Sequence, residues 1–202
     1  MCRRTLPRGT LLRMAVAEDR EIVAARDLLG EYAGVYPLGD GDVVPVEDIA
    51  ESYLGLLVRD EVLADGVSGV LRIREREIGV NAVEGERWPR RRRFTIAHEI
   101  GHWVLHKDDI ADLVVTRTIG YVPSDLAKAK TPEEIREREA NRFAAELLMP
   151  EDRIHVAVGS DGADVLAQAE RFQVSALSMA WRLFTYGYIT QRPRRADFDA
   201  LG

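Results

Sequence analysis

The sequence predicts an α+β fold in which a buried, histidine-bearing helix packs beside a small antiparallel sheet, followed by a C-terminal helix-turn-helix-like extension. Three observations carry this reading. Residues 94–105 are rich in apolar side chains around two histidines spaced four apart. Two alternating runs, 69–74 and 77–82, flank a charged turn and read as an antiparallel hairpin. A second helix, expected over residues 132–149, turns an apolar face and one carboxylate toward the first.

In chain order, residues 1–14 are a basic leader, and 15–34 read as an amphipathic helix with Ile22, Ala25, Leu28, Leu29 and Tyr32 on one side. That helix can cap the core or meet a partner. In the leader, Arg13 breaks any secretion-type apolar stretch after Leu11 and Leu12. No apolar run approaches the ~20 residues that cross a bilayer. A lone Cys2 cannot form an internal disulfide, so the cytoplasm is the expected compartment and no membrane partner is expected. The stretch 34–45, with Pro37, Gly39, Asp40, Gly41 and Asp42, is turn-rich. It separates an N-terminal unit (1–42) from a core (43–158), with a C-terminal unit (159–202) beyond.

From Val46 the compact unit begins with a helix around 47–54 and a short strand over 56–59, before the hairpin. A sheet edge can hold an extended peptide by main-chain hydrogen bonds. Asn81, closing the second hairpin strand, is a candidate contact for such a backbone; the plainer reading is a strand-end turn residue. Arg87 and the run Arg90 to Arg93 form a basic knot ahead of the histidine helix. It reads either as a solvated helix start with a salt bridge or two, or as a surface steering an acidic partner.

Histidine is scarce, with 4 in 202 residues, yet His98-Glu99-Ile100-Gly101-His102 sets two of them four apart. At 3.6 residues per turn both imidazoles share one helix face, where they can hold one metal ion. Glu99, between them, is placed to take the proton of a water attacking a carbonyl. The alternative is two solvated histidines with a salt-bridging glutamate. The flanking Phe94, Ile96, Ala97, Ile100, Trp103, Val104 and Leu105 argue against it, since unpaired imidazoles are costly in a mostly buried helix.

A catalytic zinc takes three protein ligands. His106, one turn on, rises about 6 Å along the axis from His102 and is rejected; a structural or helix-terminal role suits it better, since imidazolium is favoured at a helix C-terminus. Thr131, Pro132 and Glu134 form a helix start with cap, N1 proline and capping-box glutamate. Ala140, Phe143, Ala144, Leu147 and Leu148 define the core face of that helix, and Pro150 ends it. Glu137 lies roughly 50° from the centre of that face and Glu139 roughly 110° away. Glu137 is therefore the candidate third ligand. Its alternative is membership, with Glu133, Glu134 and Glu139, of a solvated acidic cluster paired with Arg136, Arg138 and Arg142.

Residues 113–122 suggest a further strand and loop near the cleft. Tyr121 there is the one named candidate for an oxyanion donor, but an ordinary half-buried tyrosine is the plainer reading and it is kept off the catalytic set. Residues 165–183 read as helix, tight turn at Gln173-Val174, Ser175 cap and helix. A DNA reader would present the second helix to a major groove, and this one offers only Ser178 and Arg182. A protein-docking or structural pair is favoured over direct DNA binding. A tail with Arg192, Arg194 and Arg195 follows.

The blocks 93–106 (RFTIAHEIGHWVLH) and 137–150 (EREANRFAAELLMP) together resemble the ImmA/IrrE family of bacterial and phage-associated metallopeptidases, with the likeness extending over about residues 43–190. The resemblance implies a zincin-like metallopeptidase core of minimal gluzincin type, with His98, His102 and a glutamate of the later helix as ligands. The spacing of Glu137 and Asn141 is similar to the Glu-x-x-Ala-Asp of other zinc peptidases, which again favours Glu137 over Glu139. Asn141 stands where those relatives carry aspartate and is expected to orient a ligand histidine from behind. The family further implies a protein substrate, a helix-turn-helix repressor of the Cro/cI type, whose cleavage releases stress-response or mobile-element genes.

With 46% hydrophobic and 31% charged residues, the chain can bury one real core. A net charge of −6 speaks against a protein built to coat nucleic acid. The expected function is a zinc-dependent endopeptidase; manganese also suits histidine and carboxylate donors. The rivals are a metal-sensing DNA-binding regulator and a non-catalytic module that sequesters a repressor or toxin. Neither needs a base at Glu99.

Overall fold

The structure, a computed structural model, describes residues 19–39, 43–109, 113–116 and 131–198. Cys2, the basic leader and Tyr121 lie outside them. Helix α1 (Arg20–Val35) buries Ala25, Leu28 and Tyr32, three of the residues expected on its core side. A helical turn, α2 (Val46–Asp48), continues into a π-helical turn (Ile49–Tyr53) where a helix was expected around 47–54.

Strands β1 (Leu57–Glu61), β2 (Gly69–Arg72), β3 (Glu77–Asn81) and β4 (Leu113–Thr116) form one sheet in the order β1-β3-β2-β4. The expected hairpin is β2 against β3, and β4 adds to β2, both antiparallel. The sheet is nevertheless mixed, because β1 pairs with β3 in parallel. The link from β1 to β2 reverses direction but skips one strand position. β3 fills that gap antiparallel to β2, which makes it parallel to β1.

Two helices follow that the sequence reading passed over or shortened. Asn81 caps α3 (Ala82–Arg87), its Oδ1 accepting from the backbone N–H of Val83 and Glu84 at 3.1 and 3.3 Å while Nδ2 donates to Val67 O at 2.8 Å. Its amide is taken up inside the fold, which favours the turn-residue reading over a substrate contact. Helix α4 (Pro89–His106) begins at Pro89, so Arg90 to Arg93 occupy its first turns instead of preceding it, while Arg87 closes α3. Cations at a helix N-terminus oppose the dipole, and distant acceptors offset this. Arg90 contacts Glu170, and Arg91 reaches Ser68 Oγ at 2.9 Å. Arg92 bridges Asp60 at 2.9 Å and Glu47 at 2.7 Å, and Arg93 donates to Val44 O at 2.9 Å. These arginines staple the helix start to its surroundings and do not form a free steering surface.

Helix α5 (Pro132–Leu148) has the predicted start: Thr131 Oγ1 accepts from Glu134 N, and Glu134 Oε2 accepts from Thr131 N, each at 3.1 Å. It packs on α4 across Gly101, where a Cβ would lie 3.1 Å from Phe143 Cδ1 and 3.2 Å from the Ala140 backbone. The missing side chain lets the two helices approach, and Glu137 sits one turn before Ala140. Phe143 and Ala140 are fully buried and have nowhere to yield. Gly101→Val is therefore expected to destabilise the protein by about 1–3 kcal/mol through overpacking, read as a lowered urea midpoint with unchanged slope.

Helix α6 (Glu151–Asp161), unanticipated beyond Pro150, leads to α7 (Val165–Phe172) and α8 (Ala176–Thr185). The last two are joined by a turn with Gln173 left-handed at φ 52° and Ser175 Oγ accepting from Ser178 N, as the sequence indicates. One hydrophobic cluster includes Leu28 of α1, Leu71 and Ile78 of the sheet, Ile100, Phe143, and Phe172, Met179 and Leu183 of the C-terminal pair. Ser178 and Arg182, the two residues a DNA-reading helix would offer, are buried. Arg182 pairs with buried Glu146 and donates to Met149 O at 3.0 Å. No described helix is long and apolar enough to cross a membrane.

Candidate metal centre

Four residues of chain between His98 and His102 amount to about 6 Å of helix, and both imidazoles emerge on the α5 side of α4. They are buried, and each turns Nε2 to the same point. His98 Nε2 and His102 Nε2 lie 3.0 Å apart. From α5, Glu137 brings Oε1 to 3.0 Å from His102 Nε2 and Oε2 to 3.4 Å from His98 Nε2. For metal–ligand bonds of about 2.0–2.1 Å at tetrahedral angles, donor atoms should stand roughly 3.3–3.4 Å apart. The three donors are within a few tenths of that, so His98, His102 and Glu137 could together hold one ion.

Protonation suits that role. Burial lowers the His102 imidazole to about 4 against the pull of Glu137, so it is neutral at pH 7, the form that binds a metal. Burial alone would raise the Glu137 carboxyl, but hydrogen bonds from His102 and His98 and their charge hold it well below the usual carboxylate range. It is thus an anion ready to balance a cation. Asn141, one turn after Glu137, places Oδ1 3.1 Å from His98 Nδ1. That contact fixes the ring with Nδ1–H donating and turns Nε2 toward the point it shares with His102 and Glu137. Asn141→Ala is expected to weaken zinc binding about 10- to 100-fold, measurable by competition with a chromogenic chelator.

Glu99 is fully buried on the sheet side of α4. Burial pushes its carboxyl up to about 7, with the nearby His98 charge working against it. A carboxyl near neutrality both accepts and returns a proton efficiently. Neither Glu99 oxygen has a hydrogen-bond partner among the described residues. Beneath it lies Gly69, where a Cβ would come 2.7 Å from Glu99 Oε1. Gly69 and Thr116, its register partner on β4, were not singled out from the sequence. A glycine opening a strand, ahead of the apolar Val70 and Leu71, was the signal available.

Of two neighbours, Glu139 departs from expectation and His106 takes the structural of its two expected roles. Glu139 is not in a solvated cluster with the arginines of its own helix, since it is half-buried and pairs with Arg20 of α1 at 2.9 Å. His106, its other neighbour at 3.5 Å, is buried. Burial lowers its imidazole more than Glu139 restores it, so it is a neutral packed ring and not a helix-terminal imidazolium. As expected, it is not among the three converging donors.

An α+β core with an H-E-x-x-H helix and a carboxylate from the next helix defines a metallopeptidase type of domain. The chain belongs to the Peptidase_M78 family, matching its IrrE N-terminal-like domain over residues 53–184. It is 35% identical over 100 residues to the radiation response metalloprotease IrrE of Deinococcus radiodurans, a stretch covering 47% of this chain and 27% of that protein. In fold it is similar to a Mycobacterium tuberculosis transcriptional regulator, with a TM-score of 0.56 and 20% identity over 85% of this chain and 57% of the other. The chain thus spans about a quarter of the curated relative and a little over half of the structural one.

Proposed function

We propose that the protein is a zinc-dependent endopeptidase that cleaves a helix-turn-helix transcriptional repressor of the Cro/cI type and so releases stress-response or mobile-element genes. The observation that carries the peptidase reading is the convergence of His98, His102 and Glu137 beside the buried carboxyl of Glu99. When bound, the ion would supply polarisation of the peptide carbonyl and of a water. Glu99 takes a proton from the attacking water and passes it to the leaving amine, a transfer matched to a carboxyl poised near neutrality. Asn141 keeps His98 oriented throughout. β4 is an edge of the sheet among the described residues, and a sheet edge offers main-chain groups to an extended segment of substrate.

The family resemblance supports the repressor as substrate, and the similarity to a radiation response metalloprotease supports a part in stress response. Direct DNA reading is disfavoured by the burial of Ser178 and Arg182. A sequestering module would leave the buried carboxylate of Glu99 without a use. The test is incubation of the zinc-loaded protein with the helix-turn-helix protein encoded beside it. Discrete fragments that disappear with a chelator and return with zinc are expected; an intact partner that merely co-elutes would support sequestration.

A further inference from the structure

We propose that Thr116 is a positioning residue for Glu99: its hydroxyl donates a hydrogen bond to the Glu99 carboxylate, in a space that Gly69 leaves open by having no side chain. The inference deepens the peptidase reading and rests on Glu99 being the base. In the sheet, Gly69 is the register partner of Val80 on β3 and of Thr116 on β4. Residues directly opposite one another across a strand pair share a face. Val80, Gly69 and Thr116 therefore form a row whose side chains rise together toward α4. A Cβ at Gly69 would meet Thr95 Cγ2 at 2.5 Å and Glu99 Oε1 at 2.7 Å. The carboxylate thus rests on the backbone of β2, with a valine on one flank and a hydroxyl on the other.

Of that row only Thr116 can hydrogen-bond through its side chain. Thr116 Oγ1 and both Glu99 oxygens are buried and unpartnered among the described residues. Buried polar atoms seldom remain so, and a hydroxyl donor beside a carboxylate acceptor satisfies both with one bond. One Glu99 oxygen is then tied to the sheet, and the other stays free to exchange a proton. The hydroxyl acts through Glu99 and not on substrate.

The test uses Thr116→Val, which keeps the shape and removes the hydroxyl, and Thr116→Ser, which keeps the hydroxyl. In the zinc-loaded full chain Thr116→Val is expected to lower kcat about tenfold with KM and zinc stoichiometry unchanged, and Thr116→Ser to stay close to wild type. A double-mutant cycle of Thr116→Val with Glu99→Ala, followed by denaturant unfolding, is expected to show about tenfold coupling in the unfolding equilibrium constant. Additivity in that cycle overturns the proposal whatever the rates do, and so does an unchanged kcat where the wild type cleaves. If the wild type cleaves nothing, the peptidase reading fails but the cycle still decides: coupling upholds the contact and additivity removes it. Should Thr116→Val not fold, Thr116→Ala takes its place in both measurements.

Discussion

Replacing Glu99 with glutamine is expected to reduce turnover of a protein substrate about 10²- to 10⁴-fold while leaving zinc bound. The amide has nearly the shape of the carboxylate and fits over Gly69, so the donor set His98, His102 and Glu137 is undisturbed. What disappears is the ability to accept a proton. The two effects are separated by measuring bound zinc by elemental analysis and fragment formation on gels. A glutamine variant that cuts as fast as the wild type would sink the assignment of Glu99 as base. Replacement of Glu137 acts on the other half of the site, because an anion shared between two imidazoles is lost and metal retention falls with it.

The same residue sets the acid side of the pH profile. Burial raises Glu99 to about 7 in the metal-free fold, and a nearby cation lowers that value. The base is active when ionised, so kcat/KM is lost as pH falls through the Glu99 pKa, at or below about 7 with zinc present. The acid limb should vanish from the residual activity of the glutamine variant.

The centre was legible because its parts follow short-range rules. Residues four apart on a helix must share a face, which sets His98 with His102. The capping pattern at Thr131 and Glu134 fixed the start of α5, and the phase of Ala140, Phe143 and Leu147 then turned Glu137 inward. Asn141 came from the family resemblance, in which an aspartate stands one turn after the glutamate ligand. The parts that escaped depend on pairings between distant segments. Nothing local says that β1 will lie parallel to β3, or that Arg92 will find Glu47 and Asp60 and so allow a helix to begin on four consecutive arginines. Gly69 was only the first residue of a predicted strand, and its meaning appears when α4 is laid on the sheet. Glu139 was misread for the same reason, since it pairs with Arg20 of α1, whose docking on α5 is a tertiary fact.

Replacing Glu146 with alanine is expected to cost about 3–5 kcal/mol of folding stability, although it lies outside the metal centre. Glu146 on α5 is 1% exposed and Arg182 on α8 is 4% exposed. The carboxylate also takes a hydrogen bond from Arg26 Nε of α1 at 2.8 Å, while Arg26 reaches Glu151 at 2.9 Å. One buried carboxylate therefore joins α1, α5 and α8. Removing it leaves the Arg182 guanidinium buried with the Met149 carbonyl, 3.0 Å from its Nε, and the ring of Tyr186 for company. Much of the cost of breaking such a pair is the stranded charge, so Glu146→Leu combined with Arg182→Met should recover most of the loss, and a cycle of urea unfolding curves separates the two contributions. The pH dependence has a definite sign. Burial would raise Glu146, but the Arg182 charge and the hydrogen bonds from Arg26 and Arg182 outweigh it and hold the group below its ordinary 4.5. Its contribution is therefore complete above about pH 4.5 and is lost as pH falls through the lower, folded-state value. In the Glu146→Ala protein that part of the acid destabilisation should be missing, even though the protein is less stable at pH 7.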